Sequence, residues 1–331
     1  MLPEVALESA SMLHVRSAWS GAITRLMLSW AALFAVTWPE WGEMIHQWWD
    51  IDTYGHIVLI PPILVWLVRL RRPELAKVAP AAWWPGLIAT GAGLALCLGG
   101  RVAGINLIAE CGAVIALQGS VLALLGTRAA IVLAFPLIYA LFLVPFGDEI
   151  VGPLQEVTAR IAVALTHVSG VPAVLHGLFI DTPAGRFVVA EECSGVKFLI
   201  AMIALGTLVT WTSFASWRRR IMFLIAAALT SILANGVRAW GTIFVAQYVG
   251  AERAGGFDHI VYGWVFFAVV VAAVLGVAWR YFEREPHEAG LTAAQADAIA
   301  GRAEPRAIAP DRALAAIVGG AITFAAISQL G

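Results

Sequence analysis

The chain has 331 residues, of which 60% are hydrophobic and only 13% are charged. A soluble domain carries roughly 25% charged residues, so this composition excludes an ordinary soluble domain and indicates a protein of the lipid bilayer. The net charge of −1 gives no basis for a nucleic-acid partner. The first apolar run begins near Gly21 after an acidic and mixed lead, which predicts no cleavable signal peptide.

Nine apolar stretches are candidates to cross the membrane, since a spanning helix needs about 20 mostly apolar residues. They predict an all-α fold, a polytopic transmembrane helical bundle of about eight core spans with a ninth at the C-terminus. We expect a cytoplasmic N-terminus (1–20), a membrane core (21–280), a cytoplasmic linker (281–312) and a C-terminal transmembrane helix (313–331). The predicted spans are 21–38, 55–70, 84–100, 103–126, 129–146, 194–215, 221–245, 259–280 and 313–330.

Lysine and arginine residues set the predicted orientation, because they accumulate in the short cytoplasmic loops of multi-pass proteins. Residues 40–54 contain four carboxylates and no Lys or Arg, so we expect an acidic outer loop there. With a cytoplasmic N-terminus, the basic residues after the even-numbered spans all fall on the cytoplasmic side: Arg69, Arg71, Arg72, Lys77, Arg128, Arg218, Arg219, Arg220, Arg280 and Arg284.

The longest predicted outer loop is 147–193. Residues 152–168 place apolar side chains near a helical period with polar ones opposite, which favours a helix lying in the membrane interface. Residues 174–180 and 186–190 resemble short β-strands, and the segment between them has a composition typical of a turn. We therefore expect a short β-hairpin that delivers the residues after it to the outer mouth of the sixth span.

Cys193 opens the sixth span, preceded by Glu191 and Glu192 and followed by Ser194 and Gly195. The N-terminus of the following helix and any nearby cation lower the pKa of such a thiol. The two carboxylates act in the opposite direction, and we expect them to hold a cationic partner or the substrate. The alternative is a small packing residue, which is the usual role of a single membrane cysteine.

Asn235 and Arg238 lie within the seventh span, three residues apart and so on one helical face. An arginine stays protonated and is not a base, but its guanidinium could hold a substrate carbonyl and stabilise the oxyanion that forms on attack. The alternative is an arginine whose long side chain reaches the outer interface.

His259 opens the eighth span directly after Asp258. A pKa near neutrality suits a proton carrier that deprotonates Cys193 and then protonates the leaving amine, and Asp258 could orient it. The alternative is an interfacial histidine. His56, at the outer end of the second span, competes for the role of base, and we favour an interface residue there.

Cys193, Arg238 and His259 are all expected at the outer membrane face, because consecutive spans run in opposite directions. Their coincidence predicts a nucleophilic cysteine site that acts on peptides. The sequence contains neither a C-x-x-C pair nor an H-E-x-x-H motif, so we expect no metal and no cofactor.

Three motifs together resemble the signatures of the exosortase/archaeosortase family, in a resemblance that covers residues from about 20 to 280. They are Glu192-Cys193-Ser194-Gly195, Asn235-Gly236-Val237-Arg238 and Asp258-His259-x-x-Tyr262-Gly263-Trp264-x-Phe266-Phe267. The segment Tyr54-Gly55-His56 with Pro61-Pro62 is similar to a further family feature, but it departs from the Ser-His-Gly pattern expected there. No shared role is therefore carried over to His56.

The resemblance implies a bacterial cysteine transpeptidase or protease of the PEP-CTERM protein-sorting type, located in the inner membrane with its active site facing the periplasm. Its substrates would be the C-terminal sorting signals of secreted proteins, each with a short Pro-Glu-Pro-like motif, a membrane helix and a basic tail, while the acceptor nucleophile stays unknown. Some branches continue into an outside domain, so the end at Gly331 leaves truncation open. The implied roles are Cys193 as nucleophile, Arg238 as transition-state stabiliser and His259 as acid and base, with Glu191, Glu192, Ser194, Asn235 and Asp258 as supporting residues.

Two other interpretations stay open at this point. A multi-pass transporter or channel would also place ionisable residues in the membrane, although the polar residues here cluster near one face and no repeat of the kind found in transporters is visible. The other is a non-catalytic component of polysaccharide export.

Overall fold

The computed structural model describes the backbone of residues 2–250, 259–301 and 306–329, and the side chains of these residues except 2–17 and 259–262. Within this part of the chain, seven helices are long and apolar enough to cross a membrane, and two broken helix pairs raise the number to nine if each counts as one span. Seven predicted spans coincide with these seven helices, and the spans predicted at 55–70 and 129–146 each coincide with one arm of a broken pair. The predicted polytopic helical bundle is confirmed.

The chain divides into two compact units. The first comprises residues 1–51, 57–145 and 290–331, and the second comprises residues 52–56 and 146–289. The predicted division at residues 20, 280 and 312 is not tested by these units and stays a prediction. The first unit contains α1 (Leu2–Val36), α2 (Trp38–Asp50), α3 (Ile60–Leu75), α4 (Pro85–Ala103), α5 (Asn106–Val132), α6 (Ala134–Tyr139), α11 (Ala293–Ala300) and α12 (Pro310–Ser328).

The acidic outer loop predicted at 40–54 is wrong for most of its length, because residues up to Asp50 belong to α2. Pro39 lies in the first turn of this helix, where its missing N–H removes no hydrogen bond. The carboxylate of Glu40 is buried and accepts two hydrogen bonds from Arg101, at 2.5 and 2.6 Å. This bidentate pair ties α2 to the end of α4.

Helices α4 and α5 pack with their backbones in close contact. Glycines of both helices lie at the contact. A methyl group added at any of them would overlap the backbone of the facing helix, so only glycine permits this close approach. Gly104, in the left-handed conformation at φ 68°, then ends α4 and allows a tight turn into α5. The glycines that make the contact recur every seven residues: Gly86, Gly93 and Gly100 on α4, and Gly112 and Gly119 on α5.

The described residues of the second unit include four long helices: α7 (Val151–Val168), α8 (Val196–Ser213), α9 (Trp217–Val249) and α10 (His259–Ala278). The helix predicted at 152–168 is confirmed as α7, and its position in a membrane interface stays a prediction. The polar side chains of Gln155, Thr158 and Thr166 are buried. They therefore face protein, where they are available to hold other segments of the unit.

The short β-hairpin predicted before Cys193 is present but has three strands: β1 (Val174–His176), β2 (Phe179–Thr182) and β3 (Gly185–Val188). They form an antiparallel sheet in the order β1-β2-β3. The run predicted as one strand from Val174 to Ile180 is split because Gly177 takes a φ of 64° and turns the chain. Ile180 is fully buried, so one face of the sheet covers the core of the unit.

Candidate active site

The cysteine identified in the sequence lies on a short connection between the sheet and α8. Residues Glu191–Cys193 form one 3₁₀ turn, and α8 begins at Val196 with Gly195 as its N-cap residue. Gly195 has a φ of 89°, and an ideal Cβ at this position would lie 2.6 Å from Cγ of Asn235. Both the backbone conformation and the contact with α9 therefore require glycine here.

Asn235 fixes this connection from α9. Its buried Nδ2 donates hydrogen bonds to the backbone carbonyl of Cys193 at 2.9 Å and to Oγ1 of Thr158 at 3.0 Å. Thr158 in turn donates to the carbonyl of Ser194 at 3.1 Å, and Gln155, one turn earlier on α7, donates to the carbonyl of Val189 at 2.8 Å. Side chains from two helices thus hold the backbone on both sides of the thiol.

Arg238 is 3% exposed, three residues beyond Asn235 on the same buried face of α9. Its guanidinium carbon lies 5.3 Å from the centroid of the Phe198 ring, which stacks on Phe267 at 4.8 Å. An ideal Cβ at Gly263 of α10 would lie 3.0 Å from Nη1 of Arg238. The guanidinium therefore occupies a space bounded by α8, α9 and α10, and among the described residues its Nη1 has no hydrogen-bond partner.

The thiol of Cys193 is partly buried against the core of α7, the sheet and α9. Burial has the largest effect and raises the pKa of this thiol, and the charge of Arg238 lowers it. Glu192 raises the pKa by a smaller amount, and Lys197 and then a hydrogen bond with Arg238 lower it by still smaller amounts. The net direction is upward, because burial, which disfavours the thiolate, outweighs the cations. The resting group is therefore a neutral thiol in contact with a guanidinium.

The other predicted supporting residues have different surroundings. Glu191 and Glu192 are exposed. Ser194 is buried, and its hydroxyl accepts a hydrogen bond at 3.3 Å from the backbone N–H of Val196, the first residue of α8. Ser194 therefore stabilises the start of α8.

The predicted base lies at the edge of the described structure. His259 is the first residue of α10, one helical turn before Gly263, and its side chain is outside the described residues, as is all of Asp258. The structure therefore brings Cys193 and Arg238 together and sets the start of α10 beside Arg238. The orienting role of Asp258 stays a prediction.

Sequence reasoning missed an ion pair close to this site. Lys197 of α8 is 9% exposed and its amine pairs with the carboxylate of Asp52. Asp52 was grouped with the acidic outer loop, but residues 52–56 belong to the second unit. Tyr54 in this segment donates to Asp148 at 2.6 Å, and Nδ1 of His56 is 3.2 Å from the carbonyl of Thr53. The signal that could have found the pair was a lysine inside an otherwise apolar span.

No group of three or more His, Cys, Asp or Glu side chains is placed to bind a metal ion within the part of the chain that the structure describes.

Comparison with known proteins places the chain in a family. No curated protein and no solved structure matches it. Residues 48–276 match the family model described as transmembrane exosortase (Exosortase_EpsH). The matched region includes Cys193, Arg238 and His259, and the seven apolar helices support a multi-pass membrane protein. Because the match covers more than half of the chain, the protein belongs to the transmembrane exosortase family, a family of membrane protein-sorting transpeptidases.

Proposed function

We propose that the protein is a membrane-embedded cysteine transpeptidase or endopeptidase that cleaves the C-terminal sorting signal of secreted proteins through a thioacyl-enzyme intermediate. The observation that carries this proposal is the contact between the thiol of Cys193 and the buried guanidinium of Arg238. A nucleophile and a cationic donor in one partly dry space are the parts needed for attack on a carbonyl and for stabilisation of the resulting oxyanion.

Cys193 and Arg238 have separate roles in the proposed reaction. Cys193 loses its proton and its sulfur attacks the scissile carbonyl, so that a C–S bond forms and the carbonyl oxygen becomes an oxyanion. Arg238 donates to that oxyanion. When the tetrahedral intermediate collapses, the C–N bond breaks, the amine leaves with a proton, and the N-terminal part of the substrate stays attached as a thioester. Water or an amine acceptor then attacks the thioester and restores the thiol.

The neutral thiol requires a base, because the thiolate is the attacking species. His259 is the proposed proton carrier: it accepts the proton of Cys193 and delivers it to the leaving amine. Two observations support it. Burial raises the pKa of the Cys193 thiol, and α10 begins at His259, one turn before the contact between Gly263 and Arg238. Glu191 and Glu192, both exposed, are proposed to meet the substrate at the entrance.

The proposed substrate carries a short Pro-Glu-Pro-like motif, a membrane helix and a basic tail. A membrane helix in the substrate sets the depth of the scissile bond, and its basic tail keeps the helix oriented with that end in the cytoplasm. We place the enzyme in the bacterial inner membrane with a cytoplasmic N-terminus and a periplasmic active site. Family membership and the Lys and Arg distribution of the sequence support this placement.

Mass spectrometry of a candidate substrate, from cells with the intact enzyme or with Cys193→Ala, tests the proposal. We expect a new C-terminus at the sorting motif only with the intact thiol, and Cys193→Ser should abolish processing equally while the protein still inserts. The same spectra reveal any attached acceptor, which separates transpeptidation from hydrolysis. Normal processing by Cys193→Ala would exclude this chemistry.

A further inference from the structure

Lys197 is an unusual residue for its position. It is the second residue of α8, four residues after Cys193, and it is 9% exposed inside a candidate membrane span. A buried ammonium group is strongly destabilising unless it is paired. Its partner is the carboxylate of Asp52, which is 145 residues away in sequence and is itself 42% exposed. The fold therefore stabilises a buried cation at the start of the helix that carries the nucleophile.

Lys197 and Arg238 lie around the same aromatic ring. The amine of Lys197 is 5.3 Å from the centroid of Phe198, and the guanidinium carbon of Arg238 is also 5.3 Å from it. Phe198 is 4% exposed and is held by its stacking on Phe267. Two positive charges are thereby kept at fixed positions near one thiol, and both favour the thiolate form of Cys193.

The segment that supplies Asp52 is itself held in the second unit. Tyr54 is 3% exposed and donates its hydroxyl hydrogen to Asp148 at 2.6 Å. This bond and the Asp52–Lys197 ion pair fix residues 52–56 at two points. Asp52 is thus held in position as the counter-ion of Lys197.

Other charged groups face this site from several elements. Arg238 approaches Cys193 from α9 and Glu192 from its own 3₁₀ turn. On α7, Glu156 pairs with Arg160 on the exposed side of the helix. At the start of α10, Asp258 and the side chain of His259 are outside the described residues. Only Lys197 among the described cations combines an effect on the thiol with an ion pair to a separate segment.

We propose that Lys197, held in place by Asp52, is a second cation that stabilises the thiolate of Cys193 as it forms. The proposal rests on the proposed role of Cys193 as nucleophile. Lys197 acts through Cys193, so it is a positioning residue, and Asp52 limits its effect by neutralising part of its charge. With Asp52 present, the positive potential at Cys193 is too weak to ionise the resting thiol. The remaining positive potential stabilises the thiolate when the base removes the proton.

The test measures the thiolate directly and requires no substrate. In the full chain, Cys97 and Cys111 are replaced by alanine so that Cys193 is the sole thiol. The rate of alkylation by iodoacetamide at pH 8 is divided by its limiting rate at high pH, which removes changes in access. Lys197→Met should lower this ratio by about tenfold, because the loss of a nearby positive charge disfavours the thiolate.

The opposite sign is expected for the counter-ion. Asp52→Asn removes a negative charge while Lys197 stays, so the ratio should rise by about threefold. Lys197→Arg is the matched control, because it keeps the cation, and its ratio should stay within about twofold of the parent. If Lys197→Met does not fold, Lys197→Gln takes its place. A purely structural ion pair predicts that breaking it from either side has the same effect.

Changes of the same sign in Lys197→Met and Asp52→Asn, or no change in either, would overturn the inference. Its failure is distinguishable from failure of the proposed function. Processing that persists in Cys193→Ala refutes the proposed function whatever the alkylation rates are. Equal alkylation ratios refute the role of Lys197 even when processing depends on Cys193.

Discussion

Replacing Gly195 by alanine should impair the nucleophile connection far more than an ordinary glycine substitution. Gly195 has a φ of 89°, and its ideal Cβ would lie 2.6 Å from Cγ and from Nδ2 of Asn235. The variant therefore combines backbone strain with displacement of the side chain that holds the carbonyl of Cys193.

The magnitude follows from these two effects. A left-handed conformation is less favourable for alanine than for glycine by about 1–2 kcal/mol. Displacing Asn235 breaks the hydrogen bonds from its Nδ2 to Cys193 and to Thr158, each of which contributes about 1 kcal/mol. The sum of about 3–4 kcal/mol corresponds to a loss of the native connection by a factor of roughly 100 to 1000.

Two other glycines of the second unit serve as matched controls. Gly177 has a φ of 64° but no atom within 4 Å of its ideal Cβ, so Gly177→Ala introduces only the backbone strain. Gly241 in α9 has neither feature, and Gly241→Ala should be neutral or stabilise the helix by up to about 1 kcal/mol.

The assay combines processing of a sorting-signal reporter with thermal unfolding of the purified protein. We expect processing to fall at least about 100-fold in Gly195→Ala and to stay within about tenfold of wild type in the other two variants. A processing rate in Gly195→Ala no lower than that in Gly177→Ala would refute the reasoning, because the contact with Asn235 would then have no consequence.

Three further substitutions and one pH dependence test other parts of the account. Arg238→Lys should reduce kcat by about 100-fold or more, because a single ammonium group lacks the forked donors of a guanidinium; measured kcat close to that of wild type would contradict its role. Thr158→Val should reduce processing by about fivefold to tenfold through loss of its bond to Ser194, whereas Thr158→Ser should restore it, as measured with the same reporter. Alkylation of Cys193 should increase with pH up to values above the ordinary cysteine pKa, because burial raises the pKa of this thiol; half-maximal alkylation below pH 8 would contradict that direction. Gly93→Val should lower the thermal unfolding temperature measurably, since its side chain would overlap the backbone of Ala116, while Gly91→Val, at an open position on the same helix, should not.

Hydropathy predicted the membrane spans well because a long apolar run has few other uses in a protein. The prediction of an outer loop at 40–54 failed, because proline is found both at helix ends and in the first turn of a helix. An outer loop was predicted directly after the span 21–38, but Pro39 lies in the first turn of α2, a position where proline is favoured. The strand predicted through Gly177 failed for a similar reason, since that glycine makes a turn within the run.

The candidate site was predicted residue by residue because polar groups within apolar runs are conspicuous in a sequence. The structure brings Cys193 and Arg238 together, and their catalytic roles stay predictions. The bonds from Thr158 and Gln155 that hold the connection around Cys193 were not predictable, since these residues become neighbours of the site only through the fold. The seven-residue glycine spacing of α4 and α5 was visible in the sequence, and its regular period could have predicted their close packing.

The central claim is that the sulfur of Cys193 carries the acyl group, and capture of that intermediate tests it most directly. The purified enzyme is incubated with a sorting-signal peptide, quenched in acid, and measured by intact-protein and peptide mass spectrometry, with and without hydroxylamine. The account predicts an adduct on Cys193 equal in mass to the N-terminal part of the substrate, and its release by hydroxylamine as a C-terminal hydroxamate. Cleavage of the same peptide by Cys193→Ala, or an adduct on another residue, would contradict the account.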